Sequence, residues 1–264
     1  MPEVTPQTAQ TTQTFQTLVE AWELKKILKV VSITDAGVTI MPLGEKYSAR
    51  LVRLESLSND RIALTAVDTV GLFNKLSYSI MIDSEDVKKM LKVIPWSRML
   101  VRVIFNGATI QVHSMDGTVS VEGTIVEKPE SIMSGLVEQL KEWHPRAVMK
   151  SNASTLLSWL KPFATVGDAR AHFKMLYNGF MIDKDNEGAS MMLDVKFISG
   201  EYEADGIFEV GYNLKYVTEF LEEVKRGSVN VVFGQDKPMI VESELESKAS
   251  VETIARIVQA PMVE

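Results

Sequence analysis

Four stretches of the chain repeat one amphipathic pattern, and nothing else in its 264 residues constrains the fold as tightly. Leu24, Ile27, Leu28 and Val31 lie in the stretch from Glu20 to Val31. Val87, Met90, Leu91 and Ile94 take the same relative places between Ser84 and Ile94, as do Ala153, Leu156, Leu157 and Leu160 between Asn152 and Phe163. Val217, Phe220, Leu221 and Val224 repeat them once more between Asn213 and Arg226. The spacing i, i+3, i+4, i+7 is that of one helix face. Ser84 reads as an N-cap, Pro95 as a stop and Gly227 as a C-terminal cap. Short β-rich runs broken by turn residues fill the gaps: Val101 to Phe105, Thr109 to His113, Thr118 to Val126, Val229 to Phe233, Pro238 to Leu245 and Thr253 to Ala260. A helix with a single apolar stripe needs a sheet to cover it. The order helix, strands, helix, strands, given twice, therefore predicts an α+β chain of two similar halves, each with two helices packed on antiparallel sheet.

Residues 1–15 read as a disordered tail, because Thr5 to Thr14 are almost all Thr and Gln. The halves fall at 16–127 and 147–264, and 128–146, with Pro129 and Pro145 in it, reads as a long surface connector. The chain has no cysteine, which excludes disulfides, thiolate catalysis and sulfur-ligated zinc. No apolar run approaches the roughly 20 residues of a membrane-spanning helix, and the start lacks a secretory pattern, so the expected compartment is the cytoplasm, or the nucleus of a eukaryote. Enzyme readings find little to build on. His113, His144 and His172 have no metal-ligand spacing, and neither a glycine-rich phosphate loop nor a Gly-x-Ser-x-Gly elbow occurs. Asp183, Asp185, Glu187, Gly188 and Asp194 imitate a calcium loop, yet strand-like flanks make them a charged hairpin turn. No cofactor and no metal is expected; a carboxylate-dependent hydrolase remains the open alternative.

A net charge of -7 argues against a generic nucleic-acid coat, so any DNA contact must use a local basic face. Such a face is visible. Lys25, Lys26 and Lys29 occupy, relative to the apolar stripe of the first helix, the slots that Lys88, Lys89 and Lys92 occupy in the second. One helix with solvated lysines is ordinary, but the same triplet on two distant helices suggests a track for phosphates, without groups that read bases.

Leu24-Lys25-Lys26-Ile27-Leu28, Val137-Glu138-Gln139-Leu140, Pro238-Met239-Ile240-Val241-Glu242 and the ending Gln259-Ala260-Pro261-Met262-Val263-Glu264 resemble the proliferating cell nuclear antigen family of sliding clamps. Gly167-Asp168 and Leu214-Lys215-Tyr216 fit as well, and the resemblance spans about Thr17 to Glu264. It implies two clamp domains of the DNA clamp fold and a pseudo-sixfold trimeric ring around duplex DNA, formed as a homotrimer or with sister subunits as in some archaea. It implies no catalysis, but a processivity factor that tethers DNA polymerase, flap endonuclease and DNA ligase and is opened by a clamp loader of the replication factor C type. Lys161 and Lys215 join the DNA-facing lysines on this basis. Met41, Leu51, Leu140, Pro238, Ala260 and Pro261 become the pocket for partner peptides. Edge strands about 118–126 and 189–198 become the subunit interface, with Thr118, Val119, Val121, Ile125, Met191, Leu193 and Val195. The chain departs from the family in Glu219, Glu222 and Glu223 on the fourth helix, in Pro162 within the third, and in Ile257 and Val258 where aromatics are usual. A checkpoint-type clamp of the same architecture is a further alternative.

Overall fold

The computed structural model describes residues 14–46, 49–70, 72–73, 75–126, 131–186, 189–197, 200–245 and 253–262. In chain order they form β1 (Phe15–Glu20), α1 (Ala21–Val31), β2 (Val38–Lys46), β3 (Ala49–Leu57), β4 (Ala63–Val70), β5 (Ile80–Ile82), α2 (Ser84–Val93), β6 (Leu100–Phe105), β7 (Thr109–Ser114) and β8 (Ser120–Thr124). A short helix, α3 (Met133–Gln139), follows. The second half runs β9 (Arg146–Asn152), α4 (Ala153–Thr165), β10 (Arg170–Leu176), β11 (Gly179–Asn186), β12 (Ala189–Lys196), β13 (Tyr202–Ala204), β14 (Phe208–Asn213), α5 (Lys215–Glu223), β15 (Ser228–Gly234), β16 (Met239–Leu245) and β17 (Thr253–Gln259).

All four long amphipathic stretches are helical, with ends set by local chemistry. The cap of α2 is Asp83 rather than Ser84, because the Asp83 carboxylate accepts the Glu85 N–H at 2.8 Å. Asn152 caps α4 in the same way, accepting from Ser154 N at 3.0 Å. Pro162 stands in the last turn of α4, and the helix runs on to Thr165. Asp183, Asp185 and Asp194 lie in the paired strands β11 and β12, as the strand-like flanks require; Glu187 and Gly188 lie outside the described residues. The Thr- and Gln-rich stretch likewise lies outside them except for Thr14, and Phe15 already belongs to β1.

The strands form three antiparallel sheets, ordered β1-β6-β7-β8, β12-β11-β10-β14 and β13-β9-β15-β16-β17-β4-β3-β2-β5. Matching the halves element by element pairs β1, α1 and β2 to β4 with β9, α4 and β10 to β12. It pairs β5, α2 and β6 to β8 with β14, α5 and β15 to β17, and leaves β13 as the addition. The pairings repeat too: β1 lies on β6 as β9 lies on β15, and β2 on β5 as β10 on β14. The halves are joined by β17 against β4, from Ile254 opposite Asp68 to Gln259 opposite Ala63.

One face of the sheets carries the helices. α1 lies against α2 on one side and α5 on the other, and α5 lies against α4, so the helices form a layer in the order α2, α1, α5, α4. Their stripes sink into one continuous core with Val101, Val103, Phe105, Phe173, Phe180 and Phe233 from the strands. Each such Leu, Val or Phe contributes on the order of 1.5–3 kcal/mol when it leaves water. The opposite face of the nine-stranded sheet is covered by the connector. There Met133 and Trp143 are buried over Leu64, Ala66, Ile240 and Val258, with Leu57, Leu136, Leu140 and Val232 at the margin. This is why every residue of β4 is buried: its alternate side chains face helices and connector in turn.

Candidate functional site

The polar sides of the helix layer bring the sequence-predicted lysines together, and the structure gives most of them partners. Lys25 donates to the Ile94 carbonyl at 2.6 Å and lies 5.4 Å from the centre of the Trp96 ring. Lys29 lies 6.0 Å from the same ring and 2.9 Å from Glu223 Oε1. Lys88 meets Asp35 at 2.7 Å, Lys89 meets Asp86 at 2.7 Å, and Lys161 meets Glu222 at 2.6 Å. Lys215 lies 5.0 Å over the Tyr216 ring, and Lys92 is exposed. Lys26 lines an open depression of about 820 Å³ with Lys150, Lys225 and Arg226.

These pairings set the charge states. The hydrogen bond from Lys88 to Asp35 raises the ammonium pKa, and the bond to Asp86 does the same for Lys89. The Lys161 hydrogen bond holds Glu222 below its ordinary value, whereas burial pushes Glu219 on the same helix upward. Burial likewise raises Tyr216, whose hydroxyl donates to Asp60 at 3.3 Å between the two halves. Trp96, just after α2 and exposed, was not singled out in the sequence; an exposed Trp flanked in space by two lysines cannot be seen from linear spacing.

A second feature is the pair of sheet edges. β8 ends one four-stranded sheet and β12 ends the other. Val121 opposes Val112, and Ser114 N donates to Val119 O, so in β8 the backbone groups of Ser120 and Glu122 point away from the sheet. The Thr124 N–H is already taken by Asp86 Oδ2 at 2.8 Å. Of the candidate interface residues, Val119 and Val195 are buried, and Val121, Ile125, Met191 and Leu193 pack against their own core. Thr118 lies in the turn before β8, where its N–H and hydroxyl bond to Asp116. Met192, 69% exposed on the outward side of β12, was not among the candidates.

The third feature is the connector face. Glu55, buried on β3, accepts from Ser131 Oγ and from the Ile132 and Met133 N–H groups at 3.0, 2.9 and 3.4 Å. Arg53 beside it donates to Ser131 and Ser134 at 3.4 and 3.1 Å. Arg53 also grips Asp68 with two bonds of 2.6 and 2.8 Å, Asp68 accepts from Arg256 of β17 at 2.6 Å, and Arg256 reaches Glu242 at 2.6 Å. This charge ladder crosses the β17–β4 joint beside the apolar cluster. Leu140, Pro238, Ala260 and Pro261 gather at one end of that face: Pro238 precedes the Met239–Gln259 pair, Ala260 N donates to Ile62 O, and Leu140 packs on the cluster. Met41 and Leu51 do not join them. Leu51 opposes Val70 at the far end of β4, roughly 25 Å from Ile62 at about 3.3 Å per residue, and Met41 is buried opposite Arg53. Met133, Leu136 and Trp143, which cover the strands between, had not been singled out.

No cluster of His, Cys, Asp or Glu suited to a metal ion occurs among the described residues, and no helix there is long and apolar enough to cross a membrane. No protein-family profile and no curated protein sequence matches the chain. Solved structures do. The proliferating cell nuclear antigen of A. fulgidus, in a structure with the C-terminal region of FEN-1 bound, superposes with a TM-score of 0.70 over 94% of this chain and 98% of that one, at 16% identity. The chain has the sliding-clamp fold. The Entamoeba histolytica proliferating cell nuclear antigen matches with a TM-score of 0.68 over 96% of this chain and 100% of its own, at 13% identity. The DNA polymerase III β subunit of Thermotoga maritima matches with a TM-score of 0.70 at 15% identity, and this chain spans 68% of its length. At such identities the likeness is one of sliding-clamp architecture.

Proposed function

We propose that this chain is one subunit of a DNA sliding clamp, which encircles duplex DNA without regard to sequence and tethers replication and repair enzymes while catalysing nothing itself. The observation that carries the reading is the correspondence between the internal joint and the free edges. β17 pairs with β4 inside the chain, and β8 and β12 are the same two strands of the repeat left without a partner sheet. Joining β8 of one copy to β12 of the next yields the order β1-β6-β7-β8-β12-β11-β10-β14, which matches β9-β15-β16-β17-β4-β3-β2-β5 strand for strand. Two different patches on one subunit make a head-to-tail contact that closes into a ring when the rotation allows. Three subunits then bring six halves around one hole, with the helix layer and its lysines inward. Three copies of this chain, or this chain with sister subunits, satisfy the same geometry.

A ring holds DNA by topology, so weak lysine–phosphate contacts suffice and permit sliding. Tethered polymerase, flap endonuclease or ligase gains local concentration at its substrate. The FEN-1 segment bound to the A. fulgidus protein supports a peptide-docking role, and on this chain its proposed place is the connector face with Leu140, Pro238, Ala260 and Pro261. A loader of the replication factor C type is the expected opener. Replacing Lys25, Lys26, Lys88 and Lys89 by Ala should lower polymerase stimulation on a primed circle while light scattering still gives the unaltered oligomer. Unchanged stimulation at physiological salt would remove the inward placement of the lysines.

A further inference from the structure

We infer that the carboxylates of this chain act as built-in competitors for DNA phosphate, so that the duplex is held by partner exchange at the lysines; this rests on the clamp reading above. The helix layer has three seams, and one lysine–carboxylate pair crosses each. Lys88 to Asp35, at 2.7 Å, ties α2 to the turn after α1. Lys29 to Glu223, at 2.9 Å, ties α1 to α5 and thereby one half to the other. Lys161 to Glu222, at 2.6 Å, ties α4 to α5. The side chains of Lys88, Lys29 and Lys161 are 51%, 47% and 55% exposed, so solvent and phosphate can reach them. Asp86 differs: it is buried and also holds the Thr124 N–H, so its pair with Lys89 stays a fixture of the fold.

Exposed ion pairs of this kind are weak enough for a phosphate to replace the carboxylate. When it does, DNA sheds a condensed cation, but the abandoned carboxylate recruits one from solution. Net ion release per contact falls, and with it the dependence of binding on salt. A surface built this way grips DNA less at low salt, loses less as salt rises, and returns each lysine to a waiting partner as the duplex moves on. Lys25 and Lys92 stand outside the scheme: Lys25 bonds a carbonyl, and Lys92 has no ion pair among the described residues.

The test is the binding of a fluorescent 30-base-pair duplex by the full chain in its assembled state, followed by anisotropy from about 50 to 200 mM salt. Against the wild type stand three variants: Asp35→Asn with Glu222→Gln and Glu223→Gln; a control of equal charge change on exposed sites away from the helix layer, Glu142→Gln with Glu203→Gln and Glu209→Gln; and Lys25→Ala with Lys92→Ala. Asn tolerates the left-handed backbone of Asp35, whose φ is 56°. Freeing a lysine should add up to about 0.9 to the slope of log affinity against log salt, which is about a 3.5-fold steeper loss per contact over this range. The first variant should therefore bind tighter at 50 mM and show the steeper slope, and the distant control should not. Equal slopes for these two variants, or a first variant indistinguishable from wild type, overturn the inference while the lysine pair still flattens the slope. A lysine pair that changes nothing overturns the DNA-facing reading itself. Should the triple variant melt early, Glu222→Gln and Glu223→Gln taken singly carry the same comparison at one contact each.

Discussion

Asp68→Ala tests the joint between the halves most severely. The Asp68 carboxylate accepts three bonds from guanidinium groups, two from Arg53 at 2.6 and 2.8 Å and one from Arg256 at 2.6 Å. The three side chains are 11%, 7% and 14% exposed, so solvent screens them little. Hydrogen bonds to charged groups contribute about 1.5–3 kcal/mol each, but part of the loss is recovered, since Arg256 keeps Glu242 and Arg53 keeps Ser131 and Ser134. What remains is two cations facing each other without their carboxylate, close to the about 3–5 kcal/mol of a broken buried pair. For a chain of this size, with about 2–4 °C per kcal/mol, thermal unfolding followed by circular dichroism should drop by about 6–20 °C. Adding Arg256→Met should restore part of the drop, because it removes one of the two facing cations and leaves only Glu242, the more exposed acid, without its partner. A fall of less than about 2 °C for the single variant would show that the ladder contributes nothing to the seam and refute the reasoning.

Two further outcomes are expected. Glu122→Pro removes an outward backbone donor of β8 without touching a backbone bond to β7, at the cost of the exposed side-chain bond from Gln111 at 3.0 Å, so sizing by light scattering should collapse any larger assembly to the 29.5 kDa protomer, and an intact assembly would exclude β8 as the contact edge. Asp116 is held at about 2 by hydrogen bonds from Ser114 and Thr118 in the turn before β8. A folded-state value below the unfolded one stabilises above about pH 4 and is lost as pH falls toward 2, so carboxylate NMR should find it titrating near 2, with Asp116→Asn abolishing that loosening of the turn.

The helices were legible because each stripe repeats over two turns, a signal that survives without tertiary information. Their ends were less so: Ser84 and Asp83 both cap well, and only the folded backbone decides between them. The connector reads as a plain surface segment because Pro129, Pro145 and mixed charge dominate it; Met133, Leu136 and Leu140 do keep the i, i+3, i+7 spacing of a helix face, but over one short stretch, and nothing in linear order says which strands that face covers. Which strands meet across the halves is invisible in linear order, for β17 and β4 stand far apart in the chain and belong to different halves. The lysine triplets were visible, but their partners were not: Asp35, Glu222 and Glu223 lie on other elements, and proximity rather than sequence pairs them. The pocket residues assigned by resemblance split for a similar reason. Neighbourhood on a broad sheet depends on register, which puts Leu51 opposite Val70 and far from Ala260.

Arg53 serves two tenants at once: one nitrogen holds the serines where the connector begins, and the others hold the acid that bridges β4 to β17. A molecule that pries the connector from the outer face strips Arg53 of Ser131 and Ser134 and leaves its grip on Asp68 as its remaining anchor. The seating of the connector and the hold of one half on the other thus share a single side chain.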